Sequence, residues 1–219
     1  MDFSLYLRYG PSLATGFGVT LLCWFAGAAL GMIIGFILAL LRRLPVPPLA
    51  WLLRGLIEVV RGTPFLIQLY LLYDGGPSFG LRLGATQAGI LALGIYGSAY
   101  FAEIFRAGFA AVPAGQVEAA QSLGMPAFAI LRRVRLPAMA VAIVPALTNM
   151  LIILSKETVV LSVITVPELM YRMQSMAAET FATFETILAM ALLYWLMVEI
   201  VAHLGRAAEW WVTAYMRAA

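Results

Sequence analysis

The sequences EAAQSLG at residues 118–124 and VRLP at residues 134–137 lie between two long apolar stretches, and they decide how the chain folds. Pro113 suits the first turn of a helix, the residues after it are good helix formers, and the glycine that closes EAAQSLG can adopt the left-handed conformation that ends one. Pro126 and Pro137 should stop this helix from running on into the next apolar stretch. We therefore expect a short helix that lies across one face of a membrane bundle.

The composition is that of a membrane protein. Of the 219 residues, 63% are hydrophobic and 11% are charged, and the mean hydropathy is +0.94, whereas soluble domains carry about 25% charged residues. A helix needs about 20 apolar residues to cross the hydrocarbon core of a bilayer. Residues 9–41, 83–102 and 136–155 carry no charge over at least that length. Because the N-terminal stretch lacks a short apolar region with a clear cleavage site, we expect the first membrane helix to be retained.

These stretches predict an all-α membrane protein in which residues 1–219 form a single transmembrane domain. Apolar runs and their breaks predict five spans, at residues 13–41, 56–74, 84–107, 137–160 and 185–206. The loop over residues 108–136 would carry the short helix.

The arginines at the ends of the spans predict an orientation. Nine fall on one side: Arg42, Arg43, Arg54, Arg106, Arg132, Arg133, Arg135, Arg206 and Arg217. Three fall on the other side: Arg8, Arg82 and Arg172. Because cytoplasmic loops carry the excess of positive charge, we expect the N-terminus outside and both the 108–136 loop and the C-terminus in the cytoplasm.

The two opening sequences resemble the coupling loop of permease subunits in ATP-binding-cassette (ABC) importers, E-A-A-x3-G-x9-I-x-L-P. Six of the seven fixed letters match, and Val134 replaces isoleucine. The resemblance implies that an ATPase subunit docks on this loop and drives it. The residues that would carry the coupling are Glu118, Ala119, Ala120, Leu123, Gly124, Leu136 and Pro137. The alternative is an ordinary connector between two membrane helices.

Further sequences resemble the polar amino acid permeases of the histidine, glutamine and arginine type, whose fold is that of a type I importer. They cover about residues 55–172, with glutamate at position 157 where aspartate is usual, and outside that region only the hydropathy matches. They are EVVRGTP at 58–64 with Gln68, YFAEIFR at 100–106, VPAGQ at 112–116, Asn149, SKET at 155–158, SVI at 162–164 and VPEL at 166–169.

The resemblance implies a multi-pass subunit of the bacterial cytoplasmic (inner) membrane. Its partners would be a second permease, two ATPase subunits and an extracytoplasmic binding protein that delivers an amino acid. The chain has no G-x4-G-K-[ST] phosphate-binding loop, so ATP and Mg²⁺ would bind to the ATPase. This chain would then hold no cofactor and would not be an enzyme. The amino acid, the choice between homodimer and heterodimer, and a solute site in this subunit all stay open.

Charged residues inside the predicted spans need a partner or a function, since each costs about 2.5–3.5 kcal/mol at the centre of the bilayer. Glu58 and Arg61 are three residues apart, as are Glu103 and Arg106, so each pair can meet on one helix face. We expect two structural ion pairs. In the alternative, these residues, together with Pro64, take part in gating or meet the solute.

A candidate solute site follows from the polar residues near the end of the fourth span. Pro145 and Asn149, just before Lys156 and Glu157, favour an irregular helix, and transporters hold zwitterionic solutes on such breaks. An amino acid needs a cation or amide for its carboxylate and an acceptor for its ammonium group. The candidates are Thr63, Gln68, Asn149 and Lys156 for the first, and Glu103 and Glu157 for the second. The alternative is that Lys156 and Glu157 reach the outer interface and contact only headgroups or the binding protein.

Two further sets of residues carry structural expectations. Glu168, Arg172, Glu179 and Glu185 lie in a predicted outer segment and should form a solvated face, or contact the binding protein. Gly27, Gly31 and Gly35 fall on one face of the first span, where small residues allow close helix packing. That packing could be within this chain or against a second permease.

Other classes of function have less support in the sequence. An ATP-independent carrier or channel is the main alternative, but it leaves the coupling-loop match without a role. A membrane hydrolase would have only Ser98 and His203 to pair, and no G-x-S-x-G sequence is present. One cysteine and one histidine exclude an intrachain disulfide and a multi-histidine metal site, so we expect neither a catalytic residue nor a metal.

Overall fold

The computed structural model describes residues 4–218, with side chains from 7 to 214, and the predicted all-α class is confirmed. Two 3₁₀ turns, Gly76–Phe79 and Thr158–Ile164, and a π-helical segment, Leu131–Arg135, connect some of the helices. The α-helices are α1 (Ser4–Leu41), α2 (Pro47–Gly62), α3 (Phe65–Tyr73), α4 (Ala85–Ala111), α5 (Ala114–Ser122), α6 (Ala127–Ile130), α7 (Leu136–Glu157), α8 (Leu169–Thr180) and α9 (Thr183–Ala218).

Four helical stretches in the described part of the chain are long and apolar enough to cross a membrane. They are Leu7–Leu41, Ala85–Ala111, Ala127–Ile164 and Thr183–Ala214. Each overlaps one predicted span and continues beyond it at one or both ends. The side chain of Arg217, which was counted in the charge bias, lies outside the described residues.

The predicted span over residues 56–74 is not one continuous helix in the structure. Helices α2 and α3 meet at an angle of 103°, because Pro64 has no amide hydrogen and holds Thr63 in an extended conformation (φ −103°, ψ 131°). The side-chain nitrogen of Gln68 donates to the carbonyl oxygens of Val60 (2.8 Å) and Thr63 (2.9 Å). Gln68 therefore closes the broken end of α2, and the two helices count as one span only if the bent pair crosses the membrane together.

The expectation that Pro126 and Pro137 separate the short helix from the next span holds only for Pro126, which precedes α6. The helical stretch then runs through Pro137 without a stop. The amide of Leu136 bonds to the carbonyl of Leu131, five residues back. In a regular α-helix the ring of Pro137 would clash with the carbonyl group four residues back. The wider π turn just before Pro137 lets the helix continue past it.

Helix α1 packs along α4 through the small residues predicted to form a contact face. A Cβ atom on Gly27 would lie 2.6 Å from the side chain of Leu93, and one on Gly35 would lie 2.8 Å from the carbonyl oxygen of Ser98. A Cβ atom on Gly31 would lie 3.1 Å from the carbonyl oxygen of Gly94 in α4. Of the two alternatives for these glycines, the structure shows packing within the chain.

Candidate functional site

The sequence that resembles a coupling loop forms an exposed helix. Helix α5 begins at Ala114, one residue later than predicted, with Pro113 as its N-cap. It ends at Ser122 with Leu123 as its C-cap. Gly124, which follows, has the expected left-handed conformation (φ +71°), and the amide of Met125 bonds to the carbonyl of Ala120. Such an ending satisfies the last carbonyls of the helix.

Helix α5 has one side packed on the rest of the chain and one side exposed. Ala120 is buried and seats the helix against the rest of the chain. Glu118, Ala119 and Gly124 are exposed, and Leu123 has 81% of its surface free. The Glu118 carboxylate makes no ion pair with another described residue. An apolar side chain as exposed as Leu123 beside such a carboxylate is suited to contact with another protein. Leu136 and Pro137, the first two residues of α7, are half-buried.

A polar cleft of about 590 Å³ lies between α4 and α7, with Arg61 of α2 at its edge. Two of the predicted solute contacts, Glu103 and Asn149, line this cleft together with Tyr100 and Arg106. The rest of the lining is apolar apart from the backbone. The structure therefore brings polar groups from three helices to one cavity of the size that holds small solutes.

The other predicted solute contacts lie elsewhere. Thr63 and Gln68 line a separate pocket of about 300 Å³ at the α2–α3 break, where both bond to backbone carbonyls. Lys156 is exposed and Glu157 is half-buried at the end of α7. The helix continues through Pro145, and the irregular 3₁₀ turn begins only after Glu157. The six candidates thus fall into three places.

The two predicted ion pairs fare differently. Arg106 Nε lies 2.8 Å from Glu103 Oε2 as expected, and the other carboxylate oxygen of Glu103 pairs with Arg42 at the end of α1. Glu58 pairs with Arg54 at 2.9 Å and not with Arg61, whose guanidinium lies over the ring of Tyr100 instead. Both oxygens of Glu103 are therefore occupied by arginine.

Two arginines, Arg61 and Arg106, line the cleft. Arg106 pairs with Glu103, whereas Arg61 has no carboxylate partner among the described residues. Its guanidinium carbon lies 5.2 Å from the ring centroid of Tyr100, an arrangement in which the ring stabilises the positive charge. A carboxylate that entered the cleft would meet this guanidinium, and Asn149 could add an amide hydrogen bond.

Sequence reasoning missed the best-buried acid. Glu168 was expected on a solvated face, but none of its surface is exposed. It is the N-cap of α8 and accepts hydrogen bonds from the amides of Met170 (2.9 Å) and Tyr171 (2.8 Å). Burial raises the pKa of Glu168, and these bonds offset part of that rise. The signal in the sequence was an acid placed after Pro167 and before a helix-forming run.

The serine and histidine that a hydrolase would need lie in different environments. Ser98 is buried on α4 and donates to the carbonyl of Ile95 at 2.7 Å. His203 is exposed on α9, where its Nδ1 lies 3.2 Å from a carboxylate oxygen of Glu199. This geometry gives no support to a serine nucleophile.

Comparison with known proteins agrees with the loop and the fold. Residues 31–210 match the family described as "Binding-protein-dependent transport system inner membrane component". The chain is 33% identical over 210 residues to the arginine transport system permease protein ArtQ of Bacillus subtilis (strain 168), covering 95% of this chain and 96% of that protein. It is 34% identical over 193 residues to the probable glutamine ABC transporter permease protein GlnM of the same strain, covering 88% and 86%.

Two solved structures are also similar. The crystal structure of an amino acid ABC transporter with histidines superposes with a TM-score of 0.86 at 37% identity, over 95% of this chain and 98% of that one. The inward-facing MetNI methionine ABC transporter shares the fold, with a TM-score of 0.75 at 20% identity over 92% and 98% of the two chains. The chain therefore belongs to the family of binding-protein-dependent transport system inner membrane components.

Proposed function

We propose that this chain is the permease subunit of an ATP-driven importer that carries a polar amino acid delivered by an extracytoplasmic binding protein. The observation that carries the proposal is the exposed helix α5, with Glu118 and Leu123 free, in a chain of this family. Relatives named for arginine and glutamine transport support an amino acid as the solute.

The proposed assembly contains this permease, a second permease, two ATPase subunits and the binding protein, in the bacterial cytoplasmic membrane. The N-terminus is outside, and α5 and the C-terminus are in the cytoplasm, as the arginine bias favours. The domain over residues 1–219 crosses five times if the bent pair α2–α3 counts as one span. ATP and Mg²⁺ bind to the ATPase subunits.

The proposed mechanism transmits motion through α5. The ATPase holds Glu118 and Leu123, and its closure displaces α5 as a rigid body. Helix α5 contacts the π-helical segment 131–135, which continues directly into α7. A displacement of α5 therefore moves α7 against α4, and the cleft between them opens to one side of the membrane and then the other.

The proposed solute site is the cleft between α4 and α7. Arg61 and Asn149 bind the carboxylate of the amino acid, while Glu103 with Arg42 and Arg106 forms a fixed ion-paired wall. Thr63, Gln68 and Pro64 hold the adjacent helix break in shape. Lys156 and Glu157 act, if they meet the solute, at a second position along its path.

The test is ATP hydrolysis by the assembled complex. The chain is co-expressed with the ATPase and binding protein encoded beside it, placed in nanodiscs, and assayed against a panel of amino acids. Stimulation by an amino acid, dependent on the binding protein, supports the importer. Glu118→Lys and Gly124→Asp should abolish that stimulation and uptake, whereas Gln121→Ala, on the same exposed helix, should keep both. Uptake by the chain reconstituted without an ATPase would instead support an autonomous carrier.

A further inference from the structure

Four arginines lie in two segments that are distant in sequence but pack against one apolar cluster. Arg43 follows the last turn of α1, and its guanidinium carbon lies 4.9 Å from the ring centroid of Phe109. Phe109 is buried and belongs to one apolar cluster with Leu131 and Leu136. Leu131 is the first residue of the π-helical segment that carries the other three arginines, and Leu136 follows that segment. We call Arg43, Arg132, Arg133 and Arg135 the basic cluster.

The positive charge of the basic cluster is not neutralised within the described residues. Glu103 is engaged with Arg42 and Arg106. Glu118 on α5 is exposed, and no described ion pair includes Glu118 or a member of the basic cluster. Burial lowers the pKa of Arg43, and the positive charge of Arg135 lowers it further, since both disfavour the charged guanidinium. An anion placed between Arg43 and Arg135 would relieve this repulsion.

The surroundings of the basic cluster favour a lipid headgroup over a soluble anion. Arg43 follows the apolar stretch Leu7–Leu41, and the other three arginines lie in the first turns of the stretch Ala127–Ile164, so we expect the cluster near the depth of the headgroups. Exposed apolar side chains flank it, among them Leu44 (49% exposed), Val46 (46%) and Phe128 (73%). A surface that alternates guanidinium groups with free apolar side chains matches a phosphate next to acyl chains.

We propose that the basic cluster binds the phosphate of an anionic phospholipid. The planar guanidinium group suits the tetrahedral phosphate, because it offers two parallel donors. The ring of Phe109 holds Arg43 in position for such a contact. Because α5 contacts the segment that carries the other three arginines, a bound lipid would also brace the base of α5. The binding itself rests on the chain spanning a membrane and does not depend on which solute is carried.

The test compares lipid retention by the purified complex. The complex is exchanged into mixed micelles with phosphatidylglycerol or phosphatidylcholine, and native mass spectrometry counts the lipids retained after delipidation. Wild type should retain phosphatidylglycerol in preference to phosphatidylcholine. Arg43→Gln and Arg135→Gln should each weaken that preference about fivefold, since one arginine near an anionic surface contributes roughly that factor. The matched control is Arg206→Gln, an arginine at the same side that is 3.4 Å from Glu199, which should keep the preference.

Three outcomes would overturn the proposal. One is equal retention of both lipids by wild type. Another is displacement of phosphatidylglycerol by millimolar inorganic phosphate, which would assign the cluster to a soluble anion. The third is loss of the ATPase subunit from Arg135→Gln with lipid retention unchanged, which would assign it to the ATPase interface. Arg43→Lys keeps the charge but gives up the paired donors and the contact with Phe109; it guards against a folding defect and should retain more of the preference than Arg43→Gln. None of these readouts uses solute-stimulated hydrolysis, so they are separate from the test of the importer.

Discussion

Glu168 at the start of α8 accepts a hydrogen bond of 3.2 Å from the hydroxyl of Tyr194 in α9. The amides of Met170 and Tyr171 bond to the same carboxylate, and the hydroxyl of Thr20 in α1 lies 3.4 Å from it. One fully buried acid thus joins three helices that are distant in sequence. Removing the carboxylate of Glu168 should weaken the packing of α8 against α1 and α9.

We expect Glu168→Ala to lower the stability of the chain by about 3 kcal/mol or more, because each buried donor left unpaired costs about 1–3 kcal/mol. Glu168→Gln keeps an acceptor and should cost about half as much. Thermal unfolding of the purified protein in detergent measures both. The control is Glu179→Gln, an exposed carboxylate that bonds to Tyr9, which should change stability by about 0.5 kcal/mol or less. A loss no larger than that for Glu168→Ala would contradict the role of this acid.

The same acid should make stability depend on pH. Burial raises its pKa in the folded protein above the usual 4.5, so the folded state holds the proton more tightly than the unfolded state does. The contribution of Glu168 to the free energy of unfolding is then fully present below about pH 4.5, and it is lost as the pH rises through the pKa of the folded state. We expect the unfolding temperature of wild type, measured against that of Glu168→Gln, to fall as the pH is raised from 4.5. If the unfolding temperature of wild type instead rose with pH relative to that of Glu168→Gln, the hydrogen bonds to the carboxylate would affect its pKa more than burial does.

The sequence predicts the helices of this fold better than their joints. Charge-free runs of 20 residues or more identify the long helices α1, α4 and α7, because few other structures need such runs. The bend at Thr63 and the π turn before Pro137 depend on how the freed carbonyls find donors, and Gln68 supplies one of these from eight residues away. Such a rescue is a tertiary contact, so hydropathy does not contain it.

The sequence indicated which types of residue could bind the solute, but not which of those residues lie together in one cleft. Asn149 and Glu103 meet in one cleft because α4 and α7 pack together, a pairing that one sequence does not specify. Arg54, and not Arg61, neutralises Glu58. Glu168 was misplaced because an acid beside other charged residues is usually solvated, and only the packing of α1 and α9 over α8 buries it.

The contact between α1 and α4 should not tolerate a side chain at Gly35. A Cβ there would lie 2.7 Å from the Cβ of Phe101 and 2.8 Å from the backbone oxygen of Ser98, and neither atom can move away alone. We expect Gly35→Ala to lower stability by about 1–3 kcal/mol, the usual cost of overpacking. Gly18→Ala on the same helix is the matched control, since no atom lies within 4 Å of its added Cβ. Thermal unfolding should show a loss for position 35 and none for position 18; equal effects would contradict the close approach.

Arg61 should determine how tightly the cleft holds the carboxylate of the solute. A hydrogen bond to a charged group contributes about 1.5–3 kcal/mol, so Arg61→Gln should raise the KM for uptake roughly tenfold to a hundredfold, with a smaller effect on the maximal rate. Asn149→Ala, which removes a neutral donor, should raise KM roughly fivefold. The control is Arg54→Gln on the same helix, whose pairing with Glu58 is largely exposed and contributes at most about 1 kcal/mol; it should leave KM unchanged. If Arg61→Gln and Arg54→Gln gave the same KM while Lys156→Ala raised it, the solute would bind at the end of α7 and not in the cleft.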